Sequence, residues 1–232
     1  MKKVLVSGTS SGLGLEIASD LVFDHKVVGF SRRACMDIRL SESENYFHIS
    51  GVDITQDLER LKDHLADSDI LINNVGIAQN SLLATTTEIE IEKIITVNLN
   101  STILLTREYV RARLSKRLPG VVLSISSIIA SRGYAGLAVY SASKAGIESF
   151  TRSMAREMGS KNFRFNSLAP GYFLSDLSGS LSQAQTNQII RRTPLGRLGD
   201  YGDFLPAVRF MVGEESRFIT GQTLTIDGGI TV

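Results

Sequence analysis

The sequence predicts an α/β protein, a doubly wound parallel sheet of about seven strands with helices on both faces. Three observations predict it. Short runs rich in Val, Ile, Leu and Phe alternate along the whole chain with longer segments of helical period. Several of the short runs are continuously apolar, as strands covered on both faces are. Strand and helix follow one another throughout, so right-handed crossovers are the expected connections.

The elements follow in order. Strands are expected at Val4–Ser7, Lys26–Phe30, Tyr46–Ile49, Ile70–Asn73, Val121–Ser126, Phe163–Leu168 and Thr223–Ile226. A helix over Leu13–Val22 places Leu13, Ile17 and Leu21 on one face. Another begins at Thr87, with Glu90 three residues on in a capping-box pattern. Its stripe runs Ile91, Ile94, Ile95, then Asn98, then Thr102, Leu105 and Tyr109. Further helices are expected over Val139–Met158 and Phe204–Met211. No linker, repeat or low-complexity block interrupts this order, so one domain over residues 1–232 is expected.

Composition narrows the function. Hydrophobic residues are 43% and charged residues 21%, enough for a core without metals or disulfides. The net charge of +1 gives no electrostatic footprint for nucleic acid or an anionic membrane. The single cysteine, Cys35, forms no intramolecular disulfide, which suits a reducing compartment. The apolar start is too short for a signal-peptide core and no run reaches the length of a membrane span, so a cytoplasmic location is expected. His25, His48, His64 and Cys35 lack ligand spacing, and no metal is expected.

The first strand runs into Ser7-Gly8-Thr9-Ser10-Ser11-Gly12-Leu13-Gly14 and directly into a helix. Glycines there permit a tight turn and close approach of backbone to phosphate, and the helix N-terminus supplies N–H groups and positive dipole. The spacing is G-x-x-x-G-x-G rather than the commoner G-x-G-x-x-G. A packing turn is the plainer reading, but the strand–loop–helix context favours dinucleotide binding. Gly8-Thr9-Ser10-Ser11-Gly12 also matches the G-x-S-x-G elbow of hydrolases. That chemistry needs a later histidine, and His64 is the last in the chain, so the hydrolase reading is rejected.

The second strand ends in Ser31-Arg32-Arg33. Where NAD-binding folds carry an acid for the ribose hydroxyls, this chain has two guanidiniums suited to a 2′-phosphate. NADP(H) is therefore favoured over NAD(H). Asp53, after the third strand, is placed to accept from an adenine amino group or to cap a turn.

Tyr140 and Lys144 are four residues apart and lie one above the other on a helix face. An ammonium beside a phenol is expected to lower the phenol's pKa from about 10, as general acid–base chemistry near neutral pH requires.

With these residues together, the chain resembles the short-chain dehydrogenase/reductase family over essentially its whole length. The likeness rests on Gly8-x-x-x-Gly12-x-Gly14, Asn73-Asn74-Val75-Gly76, Asn98, Ser127, Tyr140-x-x-x-Lys144, Asn166-Ser167-Leu168-Ala169-Pro170-Gly171, Ile219-Thr220-Gly221-Gln222 and Asp227-Gly228-Gly229. Within the family it is most similar to 3-oxoacyl-acyl-carrier-protein reductases and their ketoreductase paralogues, to which Pro194-Leu195-Gly196-Arg197-Leu198-Gly199 contributes. Ser7, Val75, Ser11 and Ser175 depart from the family's usual residues. At Ser11 many NADPH-using members carry a basic residue, which leaves nucleotide preference to Arg32 and Arg33.

The resemblance implies a Rossmann-type fold and a catalytic set of Asn98, Ser127, Tyr140 and Lys144. Ser127, thirteen residues before Tyr140, is selected over Ser124, Ser126 and Ser131 to hold the substrate oxygen. Lys144 would lower the Tyr140 pKa and bind the nicotinamide ribose. Asn98 interrupts an apolar stripe, and an unpaired buried amide costs roughly 1–3 kcal/mol, so it must have a partner. The resemblance suggests a water chain from Lys144 to solvent. Cofactor contacts are implied at Gly8, Ser10, Ser11, Gly12, Leu13, Gly14, Ser31, Arg32, Arg33, Asp53, Ile54, Asn74, Gly76, Tyr140, Lys144, Pro170, Gly171, Phe173 and Ser175.

The leading expectation is NADPH-dependent reduction of a ketone, with a small molecule or a 3-oxoacyl thioester as substrate. A sugar or polyol dehydrogenase and a non-catalytic nucleotide sensor are the alternatives. The Ser- and Gln-rich stretch Leu174–Arg192 is expected to form a mobile lid. Arg191, Arg192 and Arg197 read first as solvated charges, with an acidic carrier protein or a phosphate as the other reading. The resemblance also implies a homo-oligomer, a dimer or tetramer, built on the Thr87–Leu114 and Val139–Met158 helices.

Overall fold

A computed structural model describes residues 1–78, 80–173 and 182–232. Seven strands are β1 (Lys3–Ser7), β2 (Lys26–Ser31), β3 (Tyr46–Ser50), β4 (Ile70–Asn73), β5 (Gly120–Ile125), β6 (Phe163–Pro170) and β7 (Thr223–Ile226). They form one sheet in the order β3-β2-β1-β4-β5-β6-β7, every neighbouring pair parallel. Each lies within two residues of its expected bounds. The helices among the described residues are α1 (Gly12–Leu21), α2 (Ile38–Ser41), α3 (Lys62–Asp67), α4 (Glu88–Ile95), α5 (Ser101–Ser115), α6 (Ile129–Arg132), α7 (Ala138–Met158), α8 (Gln183–Arg192) and α9 (Tyr201–Val212).

Successive side chains of a strand face opposite ways, and β1 divides the core accordingly. Val4 and Val6 join Leu13 and Ile17 of α1 and Phe204 and Val208 of α9 on one face. Leu5 joins Leu65 of α3 and Leu105 and Tyr109 of α5 on the other. The Tyr109 hydroxyl donates to the Asp69 carbonyl at 2.6 Å, and its ring meets Phe163 edge-on. Buried Arg113 fastens the end of α5 to the start of β4, donating to the carbonyls of Pro119 and Ser68 and to the Asp69 carboxylate. Leaving such a buried cation without partners is destabilising.

The expected long helix from Thr87 is not uniformly α-helical. The capping box at Thr87 and Glu90 is formed, but a π-helical turn at Thr96–Asn100 separates α4 from α5. Such turns widen the helix locally and are frequent at functional sites. α6 is too short to leave a periodic signature. α8 stands in the Ser- and Gln-rich stretch read as a mobile lid, started by a capping box of Ser182 and Gln185 and anchored by buried Ile189. The rest of that stretch, 174–181, and with it Ser175, lies outside the described residues. Among the described residues no helix is long and apolar enough to cross a membrane.

Candidate active site

In an open parallel sheet a crevice forms where the strand order reverses, at the carboxyl ends of the strands. Here that point falls between β1 and β4. The glycine loop crosses it. Gly8 and Gly12 have φ of +76° and +63°, in the left-handed region that L side chains avoid. A Cβ on Gly14 would lie 2.3 Å from the Gly8 oxygen and 2.3 Å from Asn74 Nδ2. Asn74 locks the loop: its Nδ2 donates to the Ser7 carbonyl at 3.0 Å, while the Ser7 hydroxyl accepts from the N–H groups of Asn74 and Val75.

The loop fits a dinucleotide. Ser11, the N-cap of α1, makes no side-chain bond to the helix, and Ser10 and Ser11 sit in the turn before it. The helix N–H groups are therefore not capped from within. A Cβ on Gly12 would meet nothing within 4 Å, so the backbone there borders open space. Leu13, by contrast, is buried and packs the loop onto the core.

The Ser31-Arg32-Arg33 turn lies beside this loop. Arg33 Nη2 donates to the Ser11 hydroxyl at 2.9 Å, and both arginines are exposed. The turn is held from below. Ser31 Oγ donates to the Arg33 carbonyl at 2.5 Å, and His48 Nε2 lies 3.2 Å from both that carbonyl and Ser31 Oγ. His48 Nδ1 meets the Tyr46 hydroxyl at 2.9 Å, which donates to Thr9 at 3.0 Å. Burial pushes the His48 pKa down, opposed by its bond to the Arg33 carbonyl. Asp53 accepts from the N–H and hydroxyl of Thr55, which hold its carboxyl low. It caps this turn beside buried Ile54.

Ser127 follows β5, and Tyr140 and Lys144 stand on α7. The Ser127 hydroxyl lies beside the Tyr140 phenol. Burial raises the phenol's pKa and the neighbouring Ser127 hydroxyl works against the rise. That corrects the expectation that Lys144 lowers it. Lys144 is itself buried, and burial pushes its pKa down to about 8. Its Nζ lies 5.8 Å from the Tyr140 ring centroid and donates to the Ile125 carbonyl at 2.8 Å. Withdrawal from water disfavours the charged form of both groups.

Asn98 does have partners. Its Oδ1 accepts from the Ile77 N–H at 2.8 Å, and its Nδ2 donates to the Ile77 carbonyl at 2.9 Å and to Ser143 Oγ at 3.0 Å. Ser143 in turn donates to the Tyr140 carbonyl at 2.7 Å. Asn98 thus ties the chain after β4 to α7. Gly76 fits between: a Cβ there would be 3.2 Å from Lys144 Nζ and 3.6 Å from Asn98 Oδ1.

After Pro170, the Gly171 N–H donates to the Ile226 carbonyl, and a Cβ on Gly171 would strike the Asp227 backbone at 2.6 Å. Phe173 turns its ring onto Phe204 and Tyr201. Among the three arginines read as solvated, Arg197 is paired with Asp203 at 2.6 Å. The supporting groups not foreseen are Ser7, Tyr46, His48, Ser143 and the Ile125 carbonyl. One signal was present: Gly29 inside β2 marks a close approach, and a Cβ there would lie 2.3 Å from both Thr9 Oγ1 and Tyr46 Oη.

Residues 50–231 match the family described as enoyl-(acyl carrier protein) reductase. The chain is 35% identical to the 3-oxoacyl-(acyl carrier protein) reductase of Salmonella typhimurium, over 99% of this chain and 97% of that one. A 4-hydroxyisoleucine dehydrogenase complexed with NADH is 25% identical with a TM-score of 0.93, covering 100% of this chain and 99% of that one. A gluconate 5-dehydrogenase from Burkholderia cenocepacia, in complex with NADP and tartrate, is 26% identical with a TM-score of 0.93, covering 99% and 95%. With the crevice, loop and site described above, these matches define the chain as a member of the short-chain dehydrogenase/reductase family, an NAD(P)-dependent oxidoreductase. Between enzyme and nucleotide sensor, family membership decides for the enzyme.

Proposed function

We propose that the protein reduces a ketone to a secondary alcohol with NADPH, with Tyr140 as the proton donor. The observation that carries this reading is the Tyr140 phenol set beside Ser127, with buried Lys144 Nζ 5.8 Å from its ring, in surroundings that raise the phenol's pKa. A phenol held protonated at neutral pH is suited to give its proton to a developing alkoxide.

The nicotinamide, when bound, supplies the hydride. The residues that would hold the dinucleotide are the Gly8–Gly14 loop and the N-terminus of α1 for the phosphates, and Asn74, Gly76, Pro170 and Gly171 along the crevice. Ser127 would donate a hydrogen bond to the substrate oxygen and Tyr140 its proton, while Lys144 would orient the ribose and return a proton to Tyr140. Asn98 would keep α7 in register with the chain after β4. Arg32 and Arg33, with no carboxylate at the end of β2, support NADPH over NADH, and the Arg33–Ser11 bond draws one guanidinium to the phosphate loop.

A 3-oxoacyl thioester is the first substrate class, supported by the Salmonella relative. Oxidation of a sugar or hydroxy acid is the second, supported by the two structural relatives named for gluconate and hydroxyisoleucine. The test is nucleotide consumption with a simple 3-oxoester, using NADPH and NADH in parallel, and nucleotide reduction with gluconate. Turnover of the ester with NADPH at least ten times that with NADH is expected. Activity only with gluconate would reverse the assigned direction.

A further inference from the structure

A second cleft opens beside the candidate site, between α6 and α8. It is shallow and open to solvent, with about 20 Å³ of room inside, and its wall carries Arg132, Tyr134, Tyr172, Gln185, Gln188 and Arg192. Two guanidiniums, two phenols and two amides all offer hydrogen-bond donors, and among the described residues no carboxylate lines it. Among the described residues neither Arg132 nor Arg192 forms an ion pair.

The local fold builds this wall. α6 begins two residues after Ser127 and ends at Arg132. At about 1.5 Å rise per residue, the Arg132 backbone stands within roughly 8 Å of the Ser127 backbone. Gly133, at φ +70°, reverses the chain so that Tyr134 meets Tyr172 edge-on, their centroids 6.4 Å apart. On α8, Gln185, Gln188 and Arg192 fall at helical spacing on one face. Ile189 and Ile230, which complete the wall, belong to the apolar cluster on which Tyr140 packs. Tyr172 feels Arg132 and Arg192 as nearby charges that oppose the rise of its own pKa. The cleft and the reacting hydroxyls therefore share one floor.

We infer that this cleft binds a carboxylate carried by the substrate, so that the ketone reduced at Tyr140 belongs to a small oxo acid. Arg132 and Arg192 grip the carboxylate as charge-assisted donors, and the tyrosines and glutamines complete its hydrogen bonds. A chain of a few carbons spans from the cleft to Ser127. This deepens the proposed reductase reading and rests on it.

The test uses the full chain, with acetoacetate and levulinate each assayed beside its methyl ester, for the wild type and for R132Q, R192Q and the double variant. The wild type is expected to prefer at least one acid over its ester in kcat/KM. That preference should fall about 10–100-fold in the double variant, mainly through KM, because one or two charged hydrogen bonds are lost. Arg132→Lys and Arg192→Lys, which keep the charge, should retain more of it than the glutamine variants. Calorimetric titration with levulinate gives a readout apart from turnover: the wild type binds and the double variant does not. A wild type that prefers the esters, a preference that survives the double substitution, or equal levulinate binding by both proteins would overturn the inference. If the wild type reduces neither acid nor ester, the reductase reading fails by itself and the titration still decides the cleft.

Discussion

Lys144 Nζ donates to the Ile125 carbonyl oxygen at 2.8 Å, inside the protein where β5 ends against α7. A lysine so placed trades stability for chemistry. Burial lowers its pKa from the usual 10.5 to about 8 in the folded chain. The unfolded chain therefore holds this proton more tightly, and the penalty on folding is complete below pH 8. It is relieved as pH rises from 8 towards 10.5, and its size is on the order of 3 kcal/mol. Lys144→Met is expected to raise the Tm at pH 7 by several degrees and to lose that advantage near pH 10, while abolishing turnover. Thermal unfolding at the two pH values checks it.

Asn98 should behave in the opposite way. Asn98→Ala leaves the N–H and carbonyl of Ile77 and the Ser143 hydroxyl without their bonds in a buried setting. A loss of about 2–4 kcal/mol is expected. In a chain of this length that is a fall in Tm of roughly 5–15 °C, measurable by calorimetry.

The two inner glycines of the loop are predicted to fail for different reasons. In Gly14→Ala the new methyl would collide with the Gly8 oxygen and Asn74 at 2.3 Å, so the loop must move and dinucleotide affinity should fall more than tenfold. In Gly12→Ala the methyl meets no atom, and only the φ of +63° resists it, at about 1–2 kcal/mol. Fluorescence titration with NADPH, beside urea unfolding, separates the two effects.

Much of this was legible in the chain. Continuous apolar runs announced β1, β2, β4 and β5, which are buried on both faces, while β3 and β7 at the sheet edges are more exposed and carry polar residues between apolar ones. The candidate site residues stood out as types at fixed spacing for Gly8–Gly14 and Tyr140–Lys144, and through the family resemblance for Asn98 and Ser127. What stayed hidden was tertiary. The π-helical turn at Asn98 follows from its bonds to Ile77 and Ser143, which no periodicity encodes. The sign of the Tyr140 shift depends on burial, and spacing alone shows only the neighbouring lysine. His48 looked like a scattered histidine because its partners Thr9, Ser31, Tyr46 and the Arg33 carbonyl come from different segments.

That network bears on nucleotide choice. Arg33→Ala with Arg32→Ala should raise the KM for NADPH by about 10–100-fold and change the KM for NADH little, since only a 2′-phosphate needs the guanidiniums. His48→Ala should give a smaller rise for NADPH with kcat preserved, because His48 only holds the turn. Steady-state kinetics with both nucleotides reads each effect.

The central claim is that the Tyr140 phenol delivers the proton. Tyr140→Phe removes one oxygen and keeps the ring packed against the apolar cluster of Ile128, Ile129, Ile189 and Ile230. Single-turnover reduction of a 3-oxoester, with NADPH binding measured on the same sample, tests this most directly. The account predicts a rate about 10²–10⁴-fold lower with NADPH affinity unchanged. A rate close to that of the wild type, with NADPH bound equally well, would contradict it.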